Sequence, residues 1–326
     1  MNIAIVGCGL VGNKRAKQLA GCKLVAVHDI NKQKCIDLIS ATGYTDCVIE
    51  NDWKNAVTRN DVDVVIVATM HNMLAEITIA ALEAGKHVLV EKPVGKDIED
   101  INNIILAADK AGKMVRVGFN HRYHPAMMKA TKLIEQGYIG DIMYIRARYG
   151  HGGRVGYNKE WRGDPKLAGG GELVEQGIHI IDLAQKFLGK FTDVKGFAET
   201  FYWDQVLDDN AFLTLRNDKK QTAFIHVSCT EWKNTFSFEI YGKKGKLEVN
   251  GLGGSYGIET LKYYEVRPEM GPPHTTIWEY PQEDKSWEQE IIEFMEDIRT
   301  NRTPEAGLQS ARNAWEVINI IYGASK

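Results

Sequence analysis

The residues best suited to acid–base chemistry lie in the segment GGGELVEQGIHIIDL, residues 169–183. Glu175, His179 and Asp182 are spaced at i, i+4 and i+7, which places them on one face of a regular α-helix. A histidine near a carboxylate is a natural general base, because the acid fixes its tautomer and raises its basicity. A solvated polar stripe is the alternative. The preceding glycines favour a site, since they let the backbone approach a ligand or another chain segment.

A second candidate site follows the first apolar run, where the sequence reads GCGLVG from Gly7 to Gly12. This pattern between a strand and a helix is typical of dinucleotide binding, because the glycines allow a tight turn, close approach of a pyrophosphate and close helix packing. Asp29 ends the second strand about twenty residues later, where an acid accepts hydrogen bonds from a ribose. The alternative is a glycine turn with an unrelated acid.

Further polar side chains could bind or activate a substrate. Lys92 follows an apolar strand, and its ammonium could hold a hydroxyl group and stabilise charge on that oxygen. Arg122, Tyr157 and Arg162 could bind a phosphate or sugar hydroxyls. Each of these residues could instead have a structural role, and His179 could be a histidine of the protein core with its hydrogen bonds satisfied. The histidines are scattered, so we expect no metal site.

The elements that must position these residues fall into two regions. Through the first 120 residues, apolar strands at 2–6, 23–28, 61–68, 86–90 and 114–118 alternate with helical segments. Such alternation predicts a parallel sheet covered on both faces, with ligands at the carboxyl ends of its strands. We therefore predict a doubly wound Rossmann domain at residues 1–120.

The pattern changes after residue 120. A helix at 125–136, a strand at 142–149 and a glycine-rich loop at 151–162 precede the helix of the acid–base residues. Period-two runs then follow at 193–203, 211–217, 221–229, 235–241, 246–250, 258–266 and 276–280, and two helices close the chain. We predict an α/β domain at residues 121–326 with an open, mostly antiparallel sheet, which binds substrate and mediates oligomerisation.

Composition limits the class of protein. The 326 residues include 44% hydrophobic and 25% charged residues with a formal net charge of −3, as expected for a globular protein. The sequence contains no basic run and no apolar run of membrane-spanning length, so neither nucleic acid nor a membrane is expected as a partner. The five cysteines form no CxxC pair. We interpret them as reduced packing residues and expect a cytoplasmic protein.

Four stretches resemble the Gfo/Idh/MocA oxidoreductases, which include glucose–fructose oxidoreductase and inositol dehydrogenase. They are GCGLVG, AGKHVLVEKP at 84–93, GFNHRYHP at 118–125 and GGGELVEQGIHIIDL. The resemblance covers essentially the whole chain, and implies a Rossmann domain followed by a domain whose open sheet commonly forms the dimer or tetramer contact. It also implies that Lys92 touches substrate and nicotinamide, and that Glu175 and His179 lie beside the substrate carbon.

The motifs and this resemblance together predict two sets of binding residues. The cofactor-binding set is Gly7, Gly9, Leu10, Val11, Gly12, Asp29, Ile30, Thr69, Glu91, Lys92 and Asn120. The substrate-binding set is Arg122, Tyr157, Trp161, Arg162 and His179. The chain departs from the family pattern at Glu175, where an aspartate is usual. It departs again after Thr69, where TMHNML replaces T-P-N-x-x-H, so cofactor contacts there are expected to use backbone groups.

These observations predict an NAD-dependent oxidoreductase that transfers hydride between nicotinamide and a secondary alcohol of a sugar or nucleotide sugar. A preference for NAD over NADP is expected, because Asp29 would repel a 2′-phosphate. One alternative is a dehydrogenase of free aldoses or of inositol-type polyols. Another is a sugar sensor that binds dinucleotide without catalysis. We expect a homodimer or homotetramer.

Overall fold

The computed structural model describes residues 1–325, which divide into two compact units. Unit 1 contains Met1–Asn120, Lys166–Gly169 and Trp287–Arg312. Unit 2 contains His121–Pro165, Gly170–Ser286 and the chain after residue 312. This division differs from the single boundary at residue 120 expected from sequence, because two later stretches of the chain return to unit 1.

Unit 1 is built on six parallel strands in the order β3-β2-β1-β4-β5-β6. The strands are β1 (Asn2–Val6), β2 (Lys23–His28), β3 (Val48–Ile49), β4 (Val64–Val67), β5 (His87–Glu91) and β6 (Val115–Gly118). The helices between them are α1 (Leu10–Lys17), α2 (Lys32–Thr42), α3 (Trp53–Thr58), α4 (His71–Glu83) and α5 (Ile98–Ala111). The predicted doubly wound sheet is confirmed, and the sequence reading missed β3 and α3, which are short.

The central strands are buried on both faces, which explains their unbroken apolar sequences. All four residues of β4 are buried, as are four of the five in β1 and in β5. The apolar core beneath the sheet joins Ile3 and Ile5 to Leu24 and to two residues from the C-terminal part of unit 1, Ile291 and Phe294. Unit 1 therefore completes its core only with a late segment of the chain.

Unit 2 is built on eight strands in the order β14-β13-β12-β11-β7-β10-β9-β8. They are β7 (Ile142–Gly150), β8 (Asp193–Glu199), β9 (Asn210–Arg216), β10 (Thr222–Ser228), β11 (Thr235–Gly242), β12 (Gly245–Asn250), β13 (Glu259–Glu265) and β14 (His274–Tyr280). Only the β7–β10 pair is parallel among these pairings, which confirms the predicted, mostly antiparallel sheet.

The first strand after the central helix ends earlier than its alternating sequence predicts. β8 ends at Glu199, whereas the expected run extends to residue 203. The backbone N–H groups of Phe201, Tyr202 and Trp203 instead donate to the buried carboxylate of Asp209. A side-chain acceptor has replaced a neighbouring strand, so these residues form a loop.

The remaining helices are α6 (Pro125–Glu135), α7 (Pro165–Ala168), α8 (Ile178–Leu188), α9 (Ser286–Thr300) and α10 (Leu308–Ala324). A π-helical turn at Leu173–Gly177 leads directly into α8. Across residues 1–325, no helix combines the length and the apolar character that a membrane crossing requires.

Candidate active site

The glycine-rich turn after β1 has the geometry that dinucleotide binding requires. A Cβ at Gly7 would lie 2.4 Å from the carbonyl oxygen of Ala68, and one at Gly12 would lie 1.9 Å from that of Gly7. These two glycines therefore allow strand, turn and helix to pack closely. A Cβ at Gly9 would meet nothing within 4 Å. Gly9 consequently faces open space at the start of α1, where a pyrophosphate would bind the helix N-terminus.

The carboxylate of Asp29 lies at the same edge of the sheet. It accepts hydrogen bonds from the backbone N–H groups of Cys8 (2.8 Å) and Asn31 (2.9 Å), which fix its orientation. Because a carboxylate offers about four acceptor positions, it can still accept from ribose hydroxyls. Leu10 and Ile30 are 76% and 90% exposed, so apolar surface is available beside the turn for a nucleotide. The residues present therefore fit a dinucleotide.

The carboxylate before Lys92 has a structural partner. Glu91 at the end of β5 is buried and accepts from Nε of Arg15 at 2.7 Å, while a second Arg15 nitrogen bonds Glu290 of α9 at 2.5 Å. The arginine that holds this carboxylate is 0% exposed, and the cofactor contact of Glu91 stays a prediction. Glu91 thus anchors the strand end that carries the half-buried Lys92.

The other cofactor candidates of unit 1 lie at the ends of elements. Thr69 follows β4, and its hydroxyl donates to the carbonyl of Met70 at 3.3 Å. Asn120 is buried at the start of the 3-10 turn after β6, and Val11 lies in the first turn of α1. These positions keep all three near the carboxyl ends of the parallel strands, the edge at which such sheets bind ligands.

In unit 2, the glycine run serves backbone packing. A Cβ at Gly171 would lie 2.1 Å from the carbonyl oxygen of Asp208. The Asp208 carboxylate accepts from the N–H groups of Gly171 (3.1 Å) and Leu173 (2.8 Å) and from the Tyr322 hydroxyl (2.7 Å). Burial raises the pKa of Asp208 to about 6. The sequence left open whether these glycines let the backbone approach a ligand or another chain segment. For Gly171 the neighbour is another chain segment, at Asp208.

The acid–base segment is not the regular α-helix expected from its spacing. Glu175 lies on the π-helical turn, and His179 lies in the first turn of α8. Gly177 allows this turn to pack tightly, since an added Cβ would lie 3.0 Å from Leu173 and 3.4 Å from Val227. Widened turns of this kind are frequent at functional sites. Both Glu175 and His179 are buried, at 7% and 5% exposure.

His179 is supported by aromatic rings of unit 2. Its imidazole stacks on that of His121, with ring centroids 4.0 Å apart and 22° between the planes. Tyr149 of β7 lies edge-on to His121 at 5.1 Å and to His179 at 6.5 Å. Burial, with smaller effects from Tyr256, Glu172 and Glu175, raises the pKa of Tyr149 well above its ordinary value. Tyr149 therefore remains a neutral hydroxyl beside the two imidazoles.

Arg122 and Asp182 form a buried ion pair within unit 2. Arg122 donates from Nε and Nη2 to the two carboxylate oxygens of Asp182, both at 2.7 Å. The side chains are 4% and 1% exposed. Two donors of the guanidinium are held by a carboxylate of α8, and the substrate contact of Arg122 stays a prediction. Asp182, the third member of the sequence triad, is accordingly a partner of Arg122.

The remaining substrate candidates surround a pair of carboxylates. The Tyr157 hydroxyl donates to Glu172 at 2.7 Å, and burial together with that carboxylate raises the Tyr157 pKa. Arg162 places Nε 3.6 Å from Glu175 and its guanidinium 4.5 Å from the centroid of the Trp161 ring. The structure thus joins Tyr157 and Arg162 to acids that lie three residues apart.

Sequence reasoning missed four residues that shape these sites. His121 and Glu172 lie within recognised motifs, so their positions beside Arg122 and before Glu175 were available signals. Arg15 lies within α1, and its burial depends on acids far along the chain. Asp208 lies in a loop with no motif, and only the folded backbone brings it to Gly171.

Comparison with known proteins decides the family. Residues 1–119 match the model described as "Oxidoreductase family, NAD-binding Rossmann fold", and residues 127–248 match the Gfo/Idh/MocA C-terminal domain. The chain belongs to the Gfo/Idh/MocA family. The resemblance inferred from its motifs is thereby confirmed, and unit 1 of this Gfo/Idh/MocA protein contains the NAD-binding Rossmann fold.

Relatives of the Gfo/Idh/MocA protein include carbohydrate dehydrogenases. It is 28% identical to levoglucosan dehydrogenase of Pseudarthrobacter phenanthrenivorans over 62% of the chain, and 30% identical to inositol 2-dehydrogenase of Salmonella typhimurium over 58%. These matches span only 54% and 55% of the lengths of those relatives. One solved structure with a similar fold is titled as levoglucosan dehydrogenase in complex with NADH and levoglucosan. It superposes with a TM-score of 0.87 at 22% identity, and the match covers 100% of this chain and 97% of that one. That likeness establishes the fold.

Proposed function

We propose that this oxidoreductase is an NAD-dependent dehydrogenase that acts on a secondary alcohol of a neutral sugar or cyclitol. The observation that carries the proposal is the surroundings of His179, a buried imidazole stacked on His121 and preceded by the buried carboxylate of Glu175. An imidazole in such an environment is suited to accept a hydroxyl proton.

Each residue has a distinct role in the proposed reaction. A ring nitrogen of His179 accepts the proton of the substrate hydroxyl, and the negative charge of Glu175 favours the imidazolium that results. The ammonium of Lys92 is suited to bind a substrate hydroxyl and to stabilise charge that develops on its oxygen. Bound NAD⁺ supplies the hydride-accepting ring. His121 and Tyr149 hold the His179 ring by contact and are positioning residues in this scheme.

Electrostatics favour a neutral carbohydrate over a nucleotide sugar. Two arginines that were candidates for phosphate binding are associated with acids, Arg122 with Asp182 and Arg162 with Glu175. Glu172 adds a second buried carboxylate three residues from Glu175. A diphosphate near these acids would meet repulsion in a partly desolvated setting, whereas sugar hydroxyls can donate to them. The names of the relatives agree, since levoglucosan and inositol are uncharged.

The test is a substrate panel with purified protein and NAD⁺, read by absorbance of the reduced nicotinamide. Levoglucosan, myo-inositol, scyllo-inositol and glucose represent neutral carbohydrates, and UDP-glucose represents nucleotide sugars. We expect turnover with a member of the first group. Turnover confined to UDP-glucose would contradict the neutral substrate. Binding of NAD and sugar without turnover would instead support the non-catalytic sensor.

Variants test the roles on whichever substrate is turned over. His179→Ala should lower turnover by roughly 10²–10⁴, the usual yield of a positioned acid–base group, while NAD affinity is retained. Glu175→Gln should lower turnover less than His179→Ala does if the carboxylate only supports His179. It should lower turnover by a similar factor if Glu175 itself takes the proton. His274→Ala, an exposed histidine of β14, is the matched control and should leave turnover unchanged. Near-normal turnover by His179→Ala would reject the assignment.

A further inference from the structure

Two thiols meet beneath the NAD-binding turn of unit 1. Cys8 lies between Gly7 and Gly9, and Cys35 lies on α2. Their sulfur atoms are 3.6 Å apart, and both side chains are buried, at 1% and 0% exposure. We propose that Cys8 and Cys35 are a redox modification site, which forms a disulfide under peroxide and thereby lowers the affinity of unit 1 for NAD.

The two sulfurs differ in their readiness to react. Hydrogen bonding with Cys8 lowers the pKa of Cys35, whereas the same interaction and burial raise the pKa of Cys8. The thiolate is the reactive form, so Cys35 is the residue that reacts first with the oxidant. The half-buried Cys47 is nearer to solvent, but burial raises its pKa to about 12 and makes it a poor competitor.

The chemistry requires only hydrogen peroxide as oxidant. The Cys35 thiolate attacks one peroxide oxygen, the O–O bond breaks, and the hydroxide that leaves takes a proton to become water. Cys8 sulfur then attacks the Cys35 sulfenic sulfur, which forms the S–S bond and releases a second water that carries the Cys8 proton. Two thiols are oxidised to one disulfide, and one peroxide is reduced to two waters.

Disulfide formation must move one side of the pair. An S–S bond is about 2.05 Å long, so the sulfurs must approach by roughly 1.5 Å. Gly7 is packed against Ala68 and resists movement, whereas only Cys35 and Leu38 of the eleven residues in α2 are buried. Helix α2 is consequently the more mobile partner, and small openings of it would also admit peroxide.

The consequence for NAD follows from the position of Asp29. Its carboxylate accepts from the N–H of Cys8 and from the N–H of Asn31, which precedes α2. The disulfide would join the same two chain segments that this carboxylate bridges. Closing the sulfur gap therefore displaces Asp29 from its position for the ribose, or displaces Gly9 from its position for the pyrophosphate.

The experiment compares reduced and peroxide-treated full-length protein. Peptide mapping by mass spectrometry should find a Cys8–Cys35 crosslink, and calorimetric titration should show NAD binding weakened by about tenfold or more, reversed by dithiothreitol. Saturating NAD during oxidation should slow formation of the crosslink. A crosslink from Cys35 to Cys47, no crosslink at all, or a crosslink with unchanged NAD affinity would each overturn the proposal.

Variants provide the matched controls. Cys35→Ser and Cys35→Ala should bind NAD as the reduced wild type does, and neither should lose affinity after peroxide treatment. Cys229→Ala, a buried cysteine of unit 2, should remain as sensitive as the wild type. Loss of NAD affinity in peroxide-treated Cys35→Ala protein would show that oxidation acts elsewhere. Because NAD binding is the readout, none of these results depends on the proposed carbohydrate substrate.

Discussion

Glu290 should make the stability of unit 1 depend on pH. Its side chain is 0% exposed, and burial raises its pKa from 4.5 to about 7 even though Arg15 bonds one of its oxygens at 2.5 Å. The nearby charges that act on it are Arg15 and Arg116, which favour ionisation, and Glu91, which opposes it. Ionised Glu290 lowers the free energy of unfolding of the wild type at alkaline pH. We predict that Glu290→Gln removes this destabilisation.

The sign follows from proton binding. Between pH 4.5 and about 7 the folded state keeps the Glu290 proton while the unfolded state has released it, so raising the pH lowers the free energy of unfolding. The cost is absent below this window and complete above it. At 1.36 kcal/mol per pKa unit, the full cost is about 3 kcal/mol, of which about 2 kcal/mol accrues between roughly pH 5.5 and pH 7.5.

The assay is urea unfolding of wild type and Glu290→Gln, followed by circular dichroism at about pH 5.5, 6.5 and 7.5. The variant should gain about 2 kcal/mol relative to wild type across this range. Glu288→Gln makes the same chemical change at a half-buried position of α9 and should follow the wild type at each pH. A difference between Glu290→Gln and wild type that stays constant with pH, or that shrinks toward alkaline pH, would refute the reasoning.

Three further predictions concern other parts of the chain. Asp29→Ala should weaken NAD binding by about tenfold or more, because a hydrogen bond to a charged group contributes roughly 1.5–3 kcal/mol. In the same titration the wild type should bind NAD more tightly than NADP. Asp182→Asn should lower the free energy of unfolding by about 3–5 kcal/mol in urea, because it removes the charge of a carboxylate that pairs with the buried guanidinium of Arg122. Unchanged stability would contradict this. Phe224→Asp, on the exposed face of β10, should convert a proposed dimer or tetramer to smaller species by light scattering, and a monomeric wild type would contradict the proposed assembly.

The sequence predicted elements whose cause is local. The glycine turn, the strand–helix alternation and the change to period-two strands all follow from short-range sequence patterns, and each was confirmed. The turn glycines at Gly7, Gly9 and Gly12 could even be given separate roles, because each role depends on the immediate neighbours of the turn.

What the sequence could not predict depends on distant partners. The spacing of Glu175, His179 and Asp182 indicated a regular helix, but a carboxylate from residue 208 fixes the start of the segment and a π-helical turn follows. Arg122 is a plausible phosphate ligand from its residue type alone. Its pairing with Asp182, 60 residues away, is visible only in the folded chain.

The return of the chain to unit 1 has a consequence for protein synthesis. Ile291 and Phe294 complete the core that begins with Ile3, and Glu290 completes the pairing of Arg15. At 5–20 residues per second, the ribosome needs roughly ten seconds to one minute to add the residues between Arg15 and α9. We expect part of the apolar core of the nascent Rossmann sheet to remain exposed during that interval. The nascent chain should therefore bind chaperones. A premature stop before residue 287 would accordingly yield a target for proteolysis in place of a smaller NAD-binding protein.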